Sequence, residues 1–219
     1  MSVTLQNGCG DLSRELGEAT PNVTTPRINH YNDAVIDFAN ERKFPFLVKE
    51  NATITTDGNA LNKYSIATIT DIRQPGGIKE ITLGSSTEPI LPIDWSKRNE
   101  SQYVGKNFFY MTPDELYIVF TKDVTTGQAI HMWYYYIPAR ITSLTDTFPI
   151  PDRYRKVVAT LAAAYVQWGR YLDGQGNRLF NLYNKRLAGV VDQQSEENTG
   201  NPKRIQHYLK YMGFRRKYP

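Results

Sequence analysis

The chain has 219 residues, of which 40% are hydrophobic and 22% are charged, a composition that is ordinary for a folded globular protein. No stretch approaches the roughly 18 apolar residues of a membrane-spanning helix, and the N-terminus lacks the basic flank and apolar run of a secretory signal. A single cysteine, Cys9, forms no internal disulfide, so disulfide-stapled secreted proteins and membrane proteins are excluded and cytoplasmic synthesis is expected.

Charge is distributed unevenly along the chain. The formal net charge is +4, but six cationic residues and no acidic residue follow residue 202, so the rest of the chain carries a net charge of −2. The same segment holds four aromatic residues, for which a purely solubilising tail has no use. This composition favours an arm that contacts nucleic acid or an acidic protein surface, with a solvated tail as the alternative.

Two helices are predicted in the first part of the chain. Asp11 is expected to cap a short helix that ends at Gly17. Thr25, as N-cap, and Pro26, at the first helical position, begin a longer helix whose apolar residues recur every three or four positions. Pro45 prevents this helix from continuing.

Short runs of β-branched and aromatic residues, separated by turn signals, predict an antiparallel β unit. These six candidate strands cover residues 52–56, 64–70, 78–83, 107–111, 116–120 and 129–137. Residues 84–106 lack a strong period and are expected to form a long loop. On the last strand, Trp133 and Tyr135 face one way and Tyr134 and Tyr136 the other. One pair is expected in the core, and the other is either buried as well or available to a partner.

Helices return towards the C-terminus. Asp152 is expected to cap a helix in which Val157 and Leu161 recur at helical spacing and three consecutive alanines allow another helix to approach closely. Gly174 and Gly176 are expected to break this helix, after which a second helix completes a hairpin. The polar segment that follows, from residue 193 to 202, is expected to be loose.

Together these elements predict an α+β fold. A helical bundle is expected from residues 1–45 and 149–194, interrupted by an antiparallel β insertion at residues 46–148 and followed by an extended C-terminal arm at residues 195–219. Helices from distant parts of the chain must come together because only then are their apolar faces covered.

The sequence offers little for catalysis. His30, His131 and His207 lie in three separate segments without the spacing of metal ligands, and no phosphate-binding loop or nucleophile elbow is present. His131, inside an aromatic strand, is expected to be a core or interface residue, and Cys9 has no base near it in sequence. We therefore expect no enzyme activity, metal or cofactor. A site assembled without a linear motif is the weaker alternative.

Three stretches of the sequence form a recognisable pattern: a proline-rich step before an alanine-rich helix, a polar-aromatic run in the next helix, and the end of the long early helix. They read Phe148-Pro149-Ile150-Pro151-Asp152-Arg153-Tyr154, Asn181-Leu182-Tyr183-Asn184-Lys185-Arg186-Leu187 and Ala39-Asn40-Glu41-Arg42-Lys43-Phe44-Pro45. In these stretches, and in the order of its elements, the sequence resembles the head-to-tail connector (adaptor) proteins of tailed bacteriophages, including the tail tubular protein A type.

The resemblance implies a structural virion protein at the head-to-tail interface, made in the host cytoplasm. Such connectors form a ring, usually of twelve copies, beneath the portal, where they extend the DNA channel and present a platform for the tail. The implied partners are the portal protein, the next tail or nozzle protein, further copies of the chain and genomic DNA, which passes without sequence specificity. No membrane is expected among the partners. The bundle is expected to make the ring contact, and the β unit to face the tail or the outside.

The resemblance also implies that the C-terminal arm docks along the portal. Arginine and aromatic side chains supply much of the binding energy of protein interfaces, which suits this role. The expected portal-binding residues are Lys203, Arg204, Tyr208, Tyr211, Phe214, Arg215, Arg216 and Tyr218. The alternative is a nucleic-acid-binding protein whose arm stacks bases and binds phosphates, although the rest of the chain is slightly acidic.

Overall fold

A computed structural model describes residues 2–58, 61–73 and 76–199. Its α-helices are α1 (Leu5–Glu15), α2 (Thr25–Glu41), α3 (Arg155–Gly169) and α4 (Asp173–Thr199). Its strands are β1 (Ser2–Thr4), β2 (Val48–Thr55), β3 (Lys63–Ser65), β4 (Ile78–Leu83), β5 (Leu91–Pro92), β6 (Phe108–Met111), β7 (Tyr117–Phe120), β8 (Ala129–Tyr135) and β9 (Thr147–Pro151). The predicted α+β fold is confirmed.

Helix α3 lies at the centre of the helical bundle, in contact with α1, α2 and α4. Its residues from Val157 to Ala164 are all buried, because other helices cover most of its circumference. The consecutive alanines leave room for the neighbouring helices to approach closely. The predicted assembly of helices from the two ends of the chain is therefore present.

Helix α1 begins earlier than predicted. Thr4 is its N-cap, and the Thr4 hydroxyl accepts a hydrogen bond from the Asn7 backbone N–H at 3.2 Å. The prediction that Asp11 caps this helix is wrong, because Asp11 lies inside the helix and is buried. Its carboxylate instead accepts hydrogen bonds from Arg14 and Arg155.

The C-terminal hairpin also differs from the prediction. Asp152 belongs to a short 3₁₀ turn that precedes α3 and does not cap the helix itself. The glycines expected to break the helix lie inside α4, and the chain reverses instead at residues 170–172. Gly176 is needed for packing, since a Cβ there would lie 2.4 Å from the Trp168 ring. Helix α4 then continues to Thr199, through residues expected to be loose.

The strands form three small sheets, with the orders β1-β9, β2-β8-β4 and β3-β7-β6-β5. All strand pairs are antiparallel except β5 with β6, which is parallel. The strand predicted at residues 64–70 is shorter in the structure, where β3 ends at Ser65. Ile66 and Ile69 lie in the turn that follows β3, and their side chains are buried there. Strand β5 lies in the predicted long loop, and the pairing of β1 with β9 was not predicted.

The pairing of β1 with β9 ties the β unit to the bundle, since β1 leads into α1 and β9 leads towards α3. An aromatic cluster of Phe38, Phe44, Phe46 and Tyr154 fills the same junction, with ring centroids 4.4–5.5 Å apart. The buried Asn32 side chain adds hydrogen bonds to the backbone of Ile141 in both directions, at 2.9 Å each. These contacts set the position of the β unit on the bundle.

Candidate interaction surfaces

The part of the chain that the structure describes contains no group of three or more His, Cys, Asp or Glu residues placed to bind a metal ion. His30 lies on α2 and His131 on β8, where its Nδ1 is 2.9 Å from Glu50 Oε1. Burial raises the pKa of Cys9 to about 11, so this thiol stays protonated at neutral pH. His207 lies outside the described residues. Among the described residues, Cys9, His30 and His131 therefore lie on three different elements, α1, α2 and β8.

A cleft of about 100 Å³ opens in the β unit. It is lined by Leu83, Ile90, Asn107, Phe108, Phe120, Lys122, Asp123, Val124, Thr125 and Gln128. Pockets that enclose small-molecule ligands usually measure roughly 300–1,000 Å³. This cleft is therefore too small to enclose a ligand of that size.

A row of carboxylates runs along the exposed side of α2. Asp33, Asp37 and Glu41 are spaced four residues apart and so share one side of the helix. The Tyr165 hydroxyl donates to Asp37 Oδ2 at 2.6 Å, and the Tyr183 hydroxyl donates to Glu41. Burial, together with these carboxylates, raises the pKa of both tyrosines, so both remain donors that hold the carboxylates in place. The four-residue spacing was visible in the sequence, but no prediction was based on it.

Aromatic rings lie beside this row, where α3 and α4 meet. Trp168 lies 5.9 Å from Tyr165 and 5.7 Å from Phe180, measured between ring centroids. Phe180 is 38% exposed, and Tyr171, in the turn between the two helices, is 92% exposed. We call this surface the acidic–aromatic face, formed by Asp33, Asp37, Glu41, Tyr165, Trp168, Tyr171 and Phe180.

A second surface, rich in arginine, lies where α1, α3 and α4 meet. Arg155 Nε donates to Asp11 at 2.5 Å, and its Nη1 donates to Asp152 at 2.8 Å. Arg186 bridges two helices by donating to Glu15 on α1 at 2.7 Å and to the Thr160 hydroxyl on α3. We call this surface the arginine-rich face, formed by Arg14, Arg153, Arg155, Lys156 and Arg186. The contacts of Arg155 with Asp11 and of Arg186 with Glu15 join residues that are distant in sequence, so the sequence analysis did not predict this face.

The central strand β8 divides its aromatic residues as its alternation predicts. Tyr134 and Tyr136 are buried, and the Tyr134 hydroxyl donates to Asp71 Oδ1 at 2.9 Å. Trp133 and Tyr135 are half-buried on the other face. One pair therefore fills the core, as expected, and the other remains partly accessible.

The residues expected to bind the portal lie outside the described residues. They are Lys203, Arg204, Tyr208, Tyr211, Phe214, Arg215, Arg216 and Tyr218. Their role stays a prediction. Among the helices that the structure does describe, none is both long enough and apolar enough to span a bilayer.

Comparison with known proteins agrees with the resemblance seen in the sequence. The family model described as SU10 adaptor protein matches residues 4–206, which include nearly all of the bundle and the whole β unit. No curated protein matches the chain. The family match supports a phage adaptor and a structural component of the virion, and it lends no support to the nucleic-acid-binding alternative. The likeness to the tail tubular protein A type stays a prediction. The chain belongs to the SU10 adaptor protein family, a family of phage head–tail adaptors.

Proposed function

We propose that this protein forms a ring between the phage portal and the tail, with twelve copies that extend the DNA channel and provide the attachment platform for the next tail or nozzle protein. The observation that carries the proposal is the adaptor-family match over residues 4–206. The proposed role is structural and involves no catalysis. It places the protein in the virion, at the head-to-tail interface.

Three regions of the chain would share this work. The bundle of residues 1–45 and 149–194 makes the contact between neighbouring copies, and the β insertion of residues 46–148 faces the tail or the outside of the ring. The arm begins at residue 195, and its first residues continue α4 as far as Thr199. The contacts between β1 and β9 support this division, because they hold the β unit at a set position on the bundle.

The arm is the proposed portal-binding element. After residue 202 it carries six cationic residues and no acidic residue, interleaved with aromatic residues. Arginine and tyrosine are enriched among the residues that dominate binding energy at protein interfaces. Many weak arms that act together on one portal ring would bind far more tightly than one arm alone.

The mass of the portal ring, measured with and without this protein, tests the proposal. Twelve copies of 25.1 kDa would add about 300 kDa. A chain that ends at Asn201 lacks the portal-binding residues, so the added mass is expected to disappear for this truncated chain. If the full-length protein adds no mass to the portal, the connector proposal is refuted for that portal, and titration with DNA would be the next measurement.

A further inference from the structure

We propose that neighbouring copies in the ring meet through the two faces of the bundle, with the acidic–aromatic face of one copy against the arginine-rich face of the next. This inference rests on the proposed ring. Beyond the ring, it identifies the two surfaces that form the contact and the residues that belong to them.

The positions of the two faces suit a ring. Tyr165 and Lys156 are nine residues apart on α3, or about two and a half helical turns, so they point to opposite sides of that helix. Tyr165 contacts α2 on its side, and the Lys156 carbonyl accepts a hydrogen bond from Thr160, which in turn contacts Arg186 on the other side. A ring requires two different patches on different sides of the subunit, so that each copy offers one patch to each neighbour.

The charges of the two faces are complementary. Along the exposed side of α2, the described residues place three carboxylates beside two cations: Arg140, which pairs with Asp33, and Arg42, at the end of the helix. Arg170 lies in the turn next to Tyr171, close to Arg27 at the start of α2. Among the described side chains of the arginine-rich face there are five cationic groups and three carboxylates, those of Asp11, Glu15 and Asp152. Opposite charges across an interface speed encounter and select the correct partner, so contact between unlike faces is favoured over contact between like faces.

Exposed aromatic side chains supply the apolar part of the contact. Tyr171 is 92% exposed, and its φ of +59° is a conformation that a side chain as bulky as tyrosine rarely adopts. Leu172 beside it is 42% exposed, so these apolar side chains find little cover within their own subunit. Tyrosine and tryptophan rings are preferred anchors at interfaces, and their faces attract arginine side chains. The arginine-rich face of the next copy provides such side chains.

Reversal of the charges on one face at a time tests the contact. The double substitution Asp33→Lys/Asp37→Lys reverses the acidic–aromatic face, and Arg14→Glu/Lys156→Glu reverses the arginine-rich face. Both pairs are suitable because Asp37 and Lys156 are exposed and the Arg14 side chain is 75% exposed. Each double variant places like charges across the contact. We expect the concentration that half-fills the portal ring to rise at least about tenfold for each.

Two forms of rescue distinguish this contact from damage to the fold. The quadruple variant, with both faces reversed, again places opposite charges together and is expected to fill the portal at nearly the wild-type concentration. An equal mixture of the two double variants is also expected to assemble, with the two kinds of subunit alternating around the ring. If both double variants melt like the wild type but neither form of rescue restores assembly, the proposed pairing of faces is wrong.

Two control variants separate the proposed contact from a general effect of surface charge and from a purely electrostatic attraction. The double variant Glu88→Lys/Glu100→Lys changes the net charge by as much as Asp33→Lys/Asp37→Lys does, but at exposed positions of the β unit, and is expected to assemble like the wild type. Tyr171→Gly relieves the positive φ, so it is expected to leave the subunit folded and to weaken assembly several-fold; unchanged assembly would count against the aromatic anchor. If the wild-type protein adds no mass to the portal, the proposed ring on that portal is refuted. If the wild-type protein adds the full mass, and the two face-reversal variants add the same mass at the same concentration, the ring stands and only the proposed pairing of faces is refuted.

A competing occupant of the acidic–aromatic face is the cationic arm of a neighbouring copy. The arm and the arginine-rich face give different results with chemical cross-linking of assembled rings. Cross-links from Asp37 and Glu41 to Lys156 support the proposed contact. Cross-links from the same carboxylates to Lys203 or Lys210, without any to Lys156, would assign the face to the arm and overturn the inference.

Discussion

Two glycines in helix α1 give a sharp test of the packing of the bundle. Gly8 lies against the ring of Tyr31, and a Cβ at residue 8 would lie 2.3 Å from Tyr31 Cζ and 2.6 Å from its hydroxyl oxygen. The Tyr31 ring is 1% exposed and packs against Phe148 at 5.7 Å between centroids, so it has little room to move. At Gly10, in the same helix, an added Cβ meets nothing within 4 Å. The two positions therefore differ in available space.

The expected effects of alanine at these positions have opposite signs. Alanine in a helix interior is favoured over glycine by about 1 kcal/mol. At Gly8 this gain is outweighed by overpacking, which costs about 3 kcal/mol when a buried ring must be displaced. Gly8→Ala is thus expected to lower the free energy of unfolding by about 2 kcal/mol, and Gly10→Ala to raise it by about 0.5–1 kcal/mol.

Chemical denaturation followed by circular dichroism measures both changes. The two variants share one helix and one substitution, so the difference between them isolates the contact with Tyr31 from helix propensity. A Gly8→Ala protein as stable as Gly10→Ala would refute the close approach of α1 to α2 at this point.

Three further predictions concern buried groups. Burial raises the pKa of Cys9 from 9.0 to about 11. At pH 8 its thiol is therefore expected to react with a disulfide reagent at least about a hundredfold more slowly in the native protein than in urea, which absorbance measures. Burial raises the pKa of Tyr31, Tyr165 and Tyr183, so their contribution to stability is present below pH 10 and lost above it. A spectrophotometric titration should therefore show fewer ionised tyrosines at pH 11 in the native protein than in the unfolded one. Asp11→Asn weakens a buried ion pair and is expected to lower the free energy of unfolding by about 1.5–3 kcal/mol, whereas Arg14→Ala changes it by less than about 0.5 kcal/mol. Equal losses of stability in the two variants would contradict the importance of the buried Asp11 carboxylate.

Local patterns were sufficient to predict most of the secondary structure. The helix predicted to begin at Thr25 is α2, and five of the six predicted strands match β2, β4, β6, β7 and β8 within a few residues. These predictions succeeded because side chains that repeat every 3.6 or 2 residues must lie on one buried face. The ends were less well predicted, because a residue such as Asp11 suits a cap and a buried ion pair equally well in sequence.

Some of the functional predictions could also be made from local sequence patterns, and others could not. The adaptor family was indicated by the order of elements and by short stretches such as the step into α3, and the family match over residues 4–206 confirms it. The portal-binding role of the arm stays a prediction, because the residues expected to bind the portal lie outside the described residues. The two faces of the bundle were not predicted, although the spacing of Asp33, Asp37 and Glu41 was visible in the sequence.

The sequence by itself determined where the helices and most strands lie, that the fold is α+β, and that charge is concentrated after residue 202. Only the tertiary structure decided that Asp11 meets Arg155, 144 residues away, and that Tyr165 meets Asp37, 128 residues away. It also decided that Gly176 is required by the Trp168 ring and does not end a helix. Secondary structure follows from interactions between residues a few positions apart, whereas an interaction surface depends on which distant segments the buried core brings together.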